Sequence, residues 1–223
     1  MELRPYQQQA IEAIEQDWER GHRRTLLVLP TGCGKTIVFA NVAKRAVARG
    51  KKVLILAHRD ELLTQAQDKI LKATGLMTSK EKASGTSLDS FFRITVGSVQ
   101  TMQREKRLNR FPADTFQTII VDEAHHALAN GYQTVLNHFP NAEVLGVTAT
   151  PERQNVACLG EYFDNIAYEY SLPQAIKEGY LSPIKALTVP LNIDLGGVKM
   201  ANGDYAAGDL GDALSPYLEA IAT

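Results

Sequence analysis

The stretch TLLVL (25–29), PTGCGKT (30–36) and IVFANVAKRA (37–46) decides the fold. The five residues 25–29 form an apolar run too short for a helix and of the kind found in strands buried on both faces. The next seven are Pro30, Thr31, Gly32, Cys33, Gly34, Lys35 and Thr36. From Thr36 to Arg49 the apolar residues recur at helical spacing. Strand, glycine-rich turn and helix in that order make a phosphate-binding loop. The glycines let backbone N–H groups turn inward around a phosphate, and the helix N-terminus adds partial positive charge. Lys35 is expected to reach the terminal phosphates of a nucleotide, and the Thr36 hydroxyl to serve Mg²⁺. Where the G-x-x-x-x-G-K-[ST] pattern begins with glycine, this chain has Leu29.

Working outward, KKVLILA (51–57), RITVG (93–97), QTIIVDE (117–123) and EVLGVTA (143–149) repeat the short apolar run. Helical spacing occupies 5–20, 36–49, 59–73 and 132–139. Strand and helix alternate, which predicts an α/β fold whose mostly parallel central sheet carries helices on both faces. Ligands in such sheets bind at the carboxyl ends of the strands. Residues 75–90 lack periodicity and read as a loop. DNIAYEY (164–170) suggests a further strand, followed by a short helix over 173–179. Beyond about Asn192 the chain is rich in Gly, Ala and Asp and reads as a connector.

The run TIIV ends in Asp122-Glu123-Ala124-His125. A carboxylate at a strand end beside a phosphate loop is where Mg²⁺ needs an oxygen ligand. Asp122 is therefore assigned to the metal, and Glu123 to orienting or deprotonating the water that attacks a γ-phosphate. His125 and His126 are adjacent and lack further ligands at metal spacing, so a zinc site is not expected. Cys33 stands at a helix N-terminus, where a thiol pKa can fall. The competing reading of Cys33 is a small residue that simply fits.

TGCGKT (31–36), DEAH (122–125) and Thr148-Ala149-Thr150-Pro151 in this order resemble the first motor domain of superfamily 2 DEAD/DEAH-box helicases. So do Leu3-Arg4-Pro5-Tyr6-Gln7, Ala57-His58-Arg59-Asp60-Glu61-Leu62-Leu63 and Val96-Gly97-Ser98-Val99-Gln100-Thr101. With the tail EYSLPQAIKEGYLSPIKAL, they resemble the group holding the type III restriction enzyme motor subunit, XPB-type translocases and RadD-like proteins. The resemblance implies a RecA-like P-loop NTPase domain over 1–190, and a connector over 191–223 toward a second motor domain. It implies that Gln7 reads the adenine edge with Arg4 and Tyr6 packed beside the base, so that ATP is the nucleotide. His125, Thr148 and Thr150 would couple the γ-phosphate to movement of the second domain. His58, Arg59, Ser98, Gln100 and Thr101 would contact a nucleic-acid backbone, DNA or RNA, with the closest resemblances being to DNA enzymes. Backbone contact suits a motor that steps without regard to sequence. The basic run Arg104–Arg110 either extends that surface or is a solvated helix face.

Composition narrows the alternatives. With 24 Lys and Arg against 25 Asp and Glu, the net charge is −1. Residues 1–150 carry 20 basic against 15 acidic side chains (+5), and residues 151–223 carry 4 against 10 (−6). That asymmetry lets one face attract phosphate while the whole stays near neutral. The cysteines Cys33 and Cys158 make no disulfide framework. No apolar run approaches membrane-spanning length, and a cytoplasmic location is expected. A GTPase lacks its N-K-x-D segment here, and a small-molecule kinase has no need of DEAH with TAT. A regulatory or interaction module with a vestigial ATP site is the remaining rival. No second phosphate-loop sheet or arginine-rich motif follows Thr150, so a piece of a longer motor is expected, slow or inactive alone.

Overall fold

A computed structural model of the chain describes residues 3–57, 60–81, 87–88, 90–149, 159–185, 200–201 and 204–205. Backbone contacts divide it into two compact units, Met1–Ser182 and Pro183–Thr223. In the second unit the described residues form one short antiparallel pair, Met200–Ala201 with Asp204–Tyr205.

The first unit opens with helix α1 (Pro5–Glu19), started by proline in the first turn, where a missing N–H costs nothing. Then follow β1 (Arg24–Val28), α2 (Lys35–Ala48), β2 (Val53–Ala57), α3 (Asp60–Thr74), β3 (Thr78–Glu81) and β4 (Ile94–Ser98). Two single-turn helices, α4 (Val99–Met102) and α5 (Glu105–Leu108), lead to β5 (Thr118–Asp122) and a 3-10 turn, Ala124–His126. Helix α6 (Asn130–His138), β6 (Glu143–Thr148), β7 (Asn165–Glu169) and α7 (Leu172–Lys177) complete it.

The seven strands form one sheet in the order β3-β4-β2-β5-β6-β1-β7, every described pairing parallel. Successive side chains point to opposite faces, as strand geometry requires. Leu27, Ile55, Ile120, Leu145 and Val147 join the buried cluster beneath α1 and α2. Leu26, Val28, Leu54, Leu56 and Val121 join the cluster on the other face with α4 and α6. The expected two-faced α/β architecture is what the chain adopts.

The loop expected over 75–90 contains a strand. β3 pairs with β4, from Thr78 opposite Ile94 to Glu81 opposite Gly97. Its inward residues are Ser79 and Glu81, so the apolar alternation that marks a strand is missing. Ser79 Oγ is satisfied by Thr95 Oγ1 at 3.0 Å. Glu81 Oε2 accepts from the Ser87 N–H and hydroxyl, and Oε1 stands 2.8 Å from Arg107 in an ion pair. The basic run 104–110 is therefore not uniformly solvated: Arg107 is turned in toward β3, while Arg104, Lys106 and Arg110 are exposed. Among the described residues no helix is long and apolar enough to cross a membrane.

Candidate nucleotide site

Strand β6 lies between β1 and β5, so three polar segments emerge side by side at the carboxyl edge of the sheet. Val28 is in register with Thr148, and Val147 with Asp122. Neighbouring strands are about 4.8 Å apart, so the loop after β1 and the acidic pair after β5 start roughly 10 Å from one another. The Leu29 N–H donates to the Thr148 carbonyl at 3.0 Å, carrying the β1–β6 pairing to the foot of the loop.

Gly32 (φ +89°) and Gly34 (φ +79°) take left-handed backbone, which glycine adopts at little cost. A side chain at either position would also displace the end of a neighbouring side chain. A Cβ on Gly34 would lie 2.7 Å from Gln7 Nε2, and one on Gly32 would lie 2.9 Å from Leu181 Cδ2. Gly34 is the N-cap of α2 and provides no side-chain acceptor for the first-turn N–H groups. Those orphan donors are what binds an anion at a helix start. Thr31 and Gly32 are exposed, and Lys35 and Thr36 half-buried.

The first turn of α1 holds this loop from one side. Tyr6 Oη donates to the Cys33 carbonyl at 2.9 Å, and Gln7 Nε2 donates to the same oxygen at 3.1 Å. Gln7 Oε1 accepts from the Arg4 backbone N–H at 3.1 Å, half of a capping box. Arg4 Nη1 donates to Tyr6 Oη at 3.1 Å.

The tail holds it from the other side. Tyr170 stacks on Tyr6 with centroids 4.5 Å apart, Tyr180 meets Tyr6 edge-on at 4.8 Å, and the Arg4 guanidinium lies 5.2 Å from the Tyr180 centroid. Sequence reasoning placed this tail in the fold but did not single out Tyr170, Tyr180 or Leu181. The recurrence of tyrosine in EYSLPQAIKEGY is the signal that was there to use.

Cys33 is fully buried, and burial pushes its thiol up despite the opposing pull of the Tyr6 hydrogen bond and the Arg4 and Lys35 charges. The expectation of a lowered thiol pKa is thus reversed: the side chain enters the apolar core and only the carbonyl serves the loop.

At the acidic pair, Asp122 Oδ1 accepts from the Glu123 N–H at 3.1 Å. Burial and the Glu123 charge push the Asp122 carboxyl above the usual range, opposed by that N–H and by the charges of Lys35 and Lys69. Glu123 adopts φ +54°, the sole positive-φ residue other than glycine among those described. Such a conformation costs about 1–3 kcal/mol and persists where the surroundings enforce it. It turns the half-buried Glu123 toward His125, whose Nδ1 stands 3.6 Å from the carboxylate.

Thr148 is buried at the end of β6. Thr150, His58 and Arg59 lie outside the described residues. At the end of β4, Ser98 is buried and its hydroxyl donates to Gln100 Oε1 at 2.9 Å. Thr101 is also buried, and Gln100 alone of the three presents its side chain to solvent. Ser98 and Thr101 therefore face inward rather than lining an open rim.

Residues 1–153 match the family described as type III restriction enzyme, res subunit. The chain belongs to that family. The chain is 31% identical over 209 residues to an Escherichia coli type I restriction enzyme EcoAI endonuclease subunit, covering 90% of itself and 26% of that protein. It is 34% identical over 229 residues to the putative ATP-dependent helicase IRC3 of Saccharomyces cerevisiae, covering 96% of itself and 33% of the relative. It is 35% identical over 156 residues to the DNA 3'-5' translocase XPB2 of Sulfurisphaera tokodaii, covering 70% and 32%. The chain thus spans between 26% and 33% of the length of these relatives. Among solved structures, the Pyrococcus furiosus Hef helicase domain superposes with a TM-score of 0.62 at 24% identity, over 76% of this chain and 38% of that one. Bacteriophage T4 UvsW superposes at 0.61 and 20% identity, over 74% and 34%. The fold is that of a RecA-like helicase motor domain.

Proposed function

We propose that this chain is the ATP-binding half of an ATP-driven motor acting on nucleic acid, DNA in particular, completed by a second motor domain. The observation that carries the reading is the juxtaposition at the ends of β1, β6 and β5. A phosphate loop, a threonine and an acidic pair meet there across one strand's width on either side. The relatives support it, since one is named an ATP-dependent helicase and another a DNA translocase.

In this reading, Thr31, Gly32 and Gly34 offer backbone N–H groups to the phosphates, Cys33 closes the loop through its backbone bonds, and Lys35 neutralises the phosphate charge. Gln7 keeps one amide N–H and one lone pair beyond its two protein contacts, enough for the paired donor and acceptor of adenine. Arg4 and Tyr6 sit beside that base. The donor set fits Mg²⁺: the Thr36 hydroxyl and the Asp122 carboxylate are hard oxygens near Lys35. When bound, that ion supplies charge neutralisation across the phosphates. Glu123, held in its left-handed turn, takes the proton from the attacking water. His125, Thr148 and Thr150 relay the result to the second domain. His58, Arg59 and Gln100 meet the nucleic-acid backbone, with Ser98 and Thr101 positioning Gln100 from beneath. The second domain supplies the positive charge that phosphoryl transfer demands, so the chain alone binds nucleotide and turns it over slowly.

Calorimetry with Mg²⁺, comparing ATP with GTP and the native chain with Lys35→Ala, tests the reading. ATP-selective binding that the variant loses is expected. Equal affinity for GTP would remove the adenine role of Gln7. No binding by a well-folded chain would favour a regulatory module with a vestigial site.

A further inference from the structure

The opposite edge of the sheet carries a feature that nucleotide chemistry does not use. Four of the large hydrophobics that the described residues expose gather at one corner: Leu71 (46% exposed), Met77 (61%), Phe92 (40%) and the fully exposed Phe91. They occupy the end of α3 and the segments entering β3 and β4, at the amino ends of the strands. The phosphate loop and the acidic pair leave the carboxyl ends. Soluble surfaces scatter single hydrophobics, but a contiguous group of this kind marks an interaction site.

Two cavities open at this corner and share a wall. One, of about 310 Å³, is lined by Val47, Leu76, Met77, Phe91 and Phe92. The other, of about 200 Å³, has Phe111 and Phe116 among its walls, with the Lys52 and Arg93 cations beside them. Phe92 and Arg93 line both, so the two cavities adjoin. No carboxylate is among the described residues that line either cavity. The Lys52 ammonium has no ion-pair partner among the described residues. Arg93 donates Nη1 to the Gly50 carbonyl at 2.7 Å and keeps its other N–H groups for a further acceptor. Phe, Met and Arg are the residue types enriched in the centre of protein interfaces.

We propose that this corner is a docking surface for an acidic peptide segment that seats one apolar side chain in each cavity. The cavity of about 310 Å³ is lined mainly by apolar side chains, and that of about 200 Å³ mixes Phe92, Phe111 and Phe116 with serine and threonine hydroxyls, so each offers an apolar contact to an anchor. The two cations, with no acid among the described lining residues, favour a negatively charged segment. A nucleic-acid backbone would ask for a row of cations, and the described lining residues supply two, Lys52 and Arg93. A partner on this corner leaves the nucleotide edge free, so docking and nucleotide binding are separable.

The test is fluorescence polarisation of a short fluorescein-labelled peptide, rich in Glu and carrying one Phe and one Leu, titrated with the whole chain. Saturable binding is expected, weakened at least about tenfold by Phe91→Asp and by Lys52→Glu. Both replaced side chains are exposed, so melting temperature and nucleotide binding stay at native values. A peptide with Gln in place of Glu should bind about tenfold more weakly. The proposal is overturned if the acidic peptide does not bind, or if the Gln peptide binds equally well. Displacement of the peptide by a single-stranded oligonucleotide would also overturn it, as would self-association of the chain lost in the same two variants.

Discussion

Gly34→Ala tests the closest approach in the site. The substitution forces a side chain into left-handed backbone at φ +79°, costing roughly 1–2 kcal/mol. Its Cβ would stand 2.7 Å from Gln7 Nε2, so the amide must move and release the Cys33 carbonyl, a further net loss of about 1 kcal/mol. The sum is about 2–3 kcal/mol. Gln7→Ala alone removes two side-chain hydrogen bonds, to Cys33 and from Arg4, costing about 2 kcal/mol. Were the sites independent, the double variant would lose about 4–5 kcal/mol. The Gln7–Cys33 bond is common to both single losses, so the expected figure is nearer 3.5 kcal/mol, a coupling of about 1 kcal/mol. Urea unfolding of the four proteins, with a shared m-value, measures it. Additivity to within about 0.3 kcal/mol would refute the claim that Gln7 stands against Gly34.

Glu123→Gln keeps shape and removes the base. In the proposed two-domain protein, nucleotide binding should persist while turnover falls about 10²–10⁴-fold; unchanged single-turnover hydrolysis would move the base elsewhere. At the far end of α1, burial alone would raise the Asp17 carboxyl, but hydrogen bonds from His22, Thr25 and Asn165 hold it below its ordinary value. A carboxyl with a lower pKa in the folded chain than in the unfolded one stabilises above the unfolded value, about 3.9, and loses that contribution as pH falls through the folded value. Thermal melts from pH 6 downward should therefore show a loss beginning near pH 4 that Asp17→Asn flattens. The raised carboxyl of Asp122 has the reverse consequence for metal. A divalent cation needs the carboxylate, so Mg²⁺–nucleotide affinity should climb with pH through the raised pKa and level off above it. A pH-independent affinity in the native chain, measured by calorimetry, would exclude Asp122 as a ligand.

Most of the frame was legible because its signals are local and contiguous. Five apolar runs became β1, β2, β4, β5 and β6, each bounded by the turns that the sequence marks. β3 escaped because its buried residues are Ser79 and Glu81, whose partners Thr95, Ser87 and Arg107 come from elsewhere in the chain. No periodicity encodes such a rescue. The same limit governed the site. PTGCGKT and DEAH are short, uninterrupted strings, so their residues were nameable. That Glu123 turns left-handed, that Ser98 and Thr101 face inward, and that Tyr170 and Tyr180 brace Tyr6 are consequences of packing between distant segments. The Cys33 thiol shows the same competition. Its helix terminus argues for a low pKa, and burial, visible only in three dimensions, wins.

The placement of β1 also sets an order of events. Its two lateral neighbours are β6 and β7, and the pairs Arg24–Val144 and Thr25–Asn165 span well over a hundred residues. Synthesis runs from the N-terminus, and domains tend to fold as units as they emerge. The strand that carries the phosphate loop therefore leaves the ribosome long before either flank exists. Its row of Leu26, Leu27 and Val28 must wait without sheet partners until β6 and then β7 arrive, the kind of long-range closure that slows folding. The tyrosines that brace the loop come later still, after β7. The candidate nucleotide pocket is thus begun early in translation and among the last parts of its unit to be finished, and a nascent chain stopped after the 3-10 turn Ala124–His126 would hold the complete phosphate-loop and DEAH sequences without the pocket that they make.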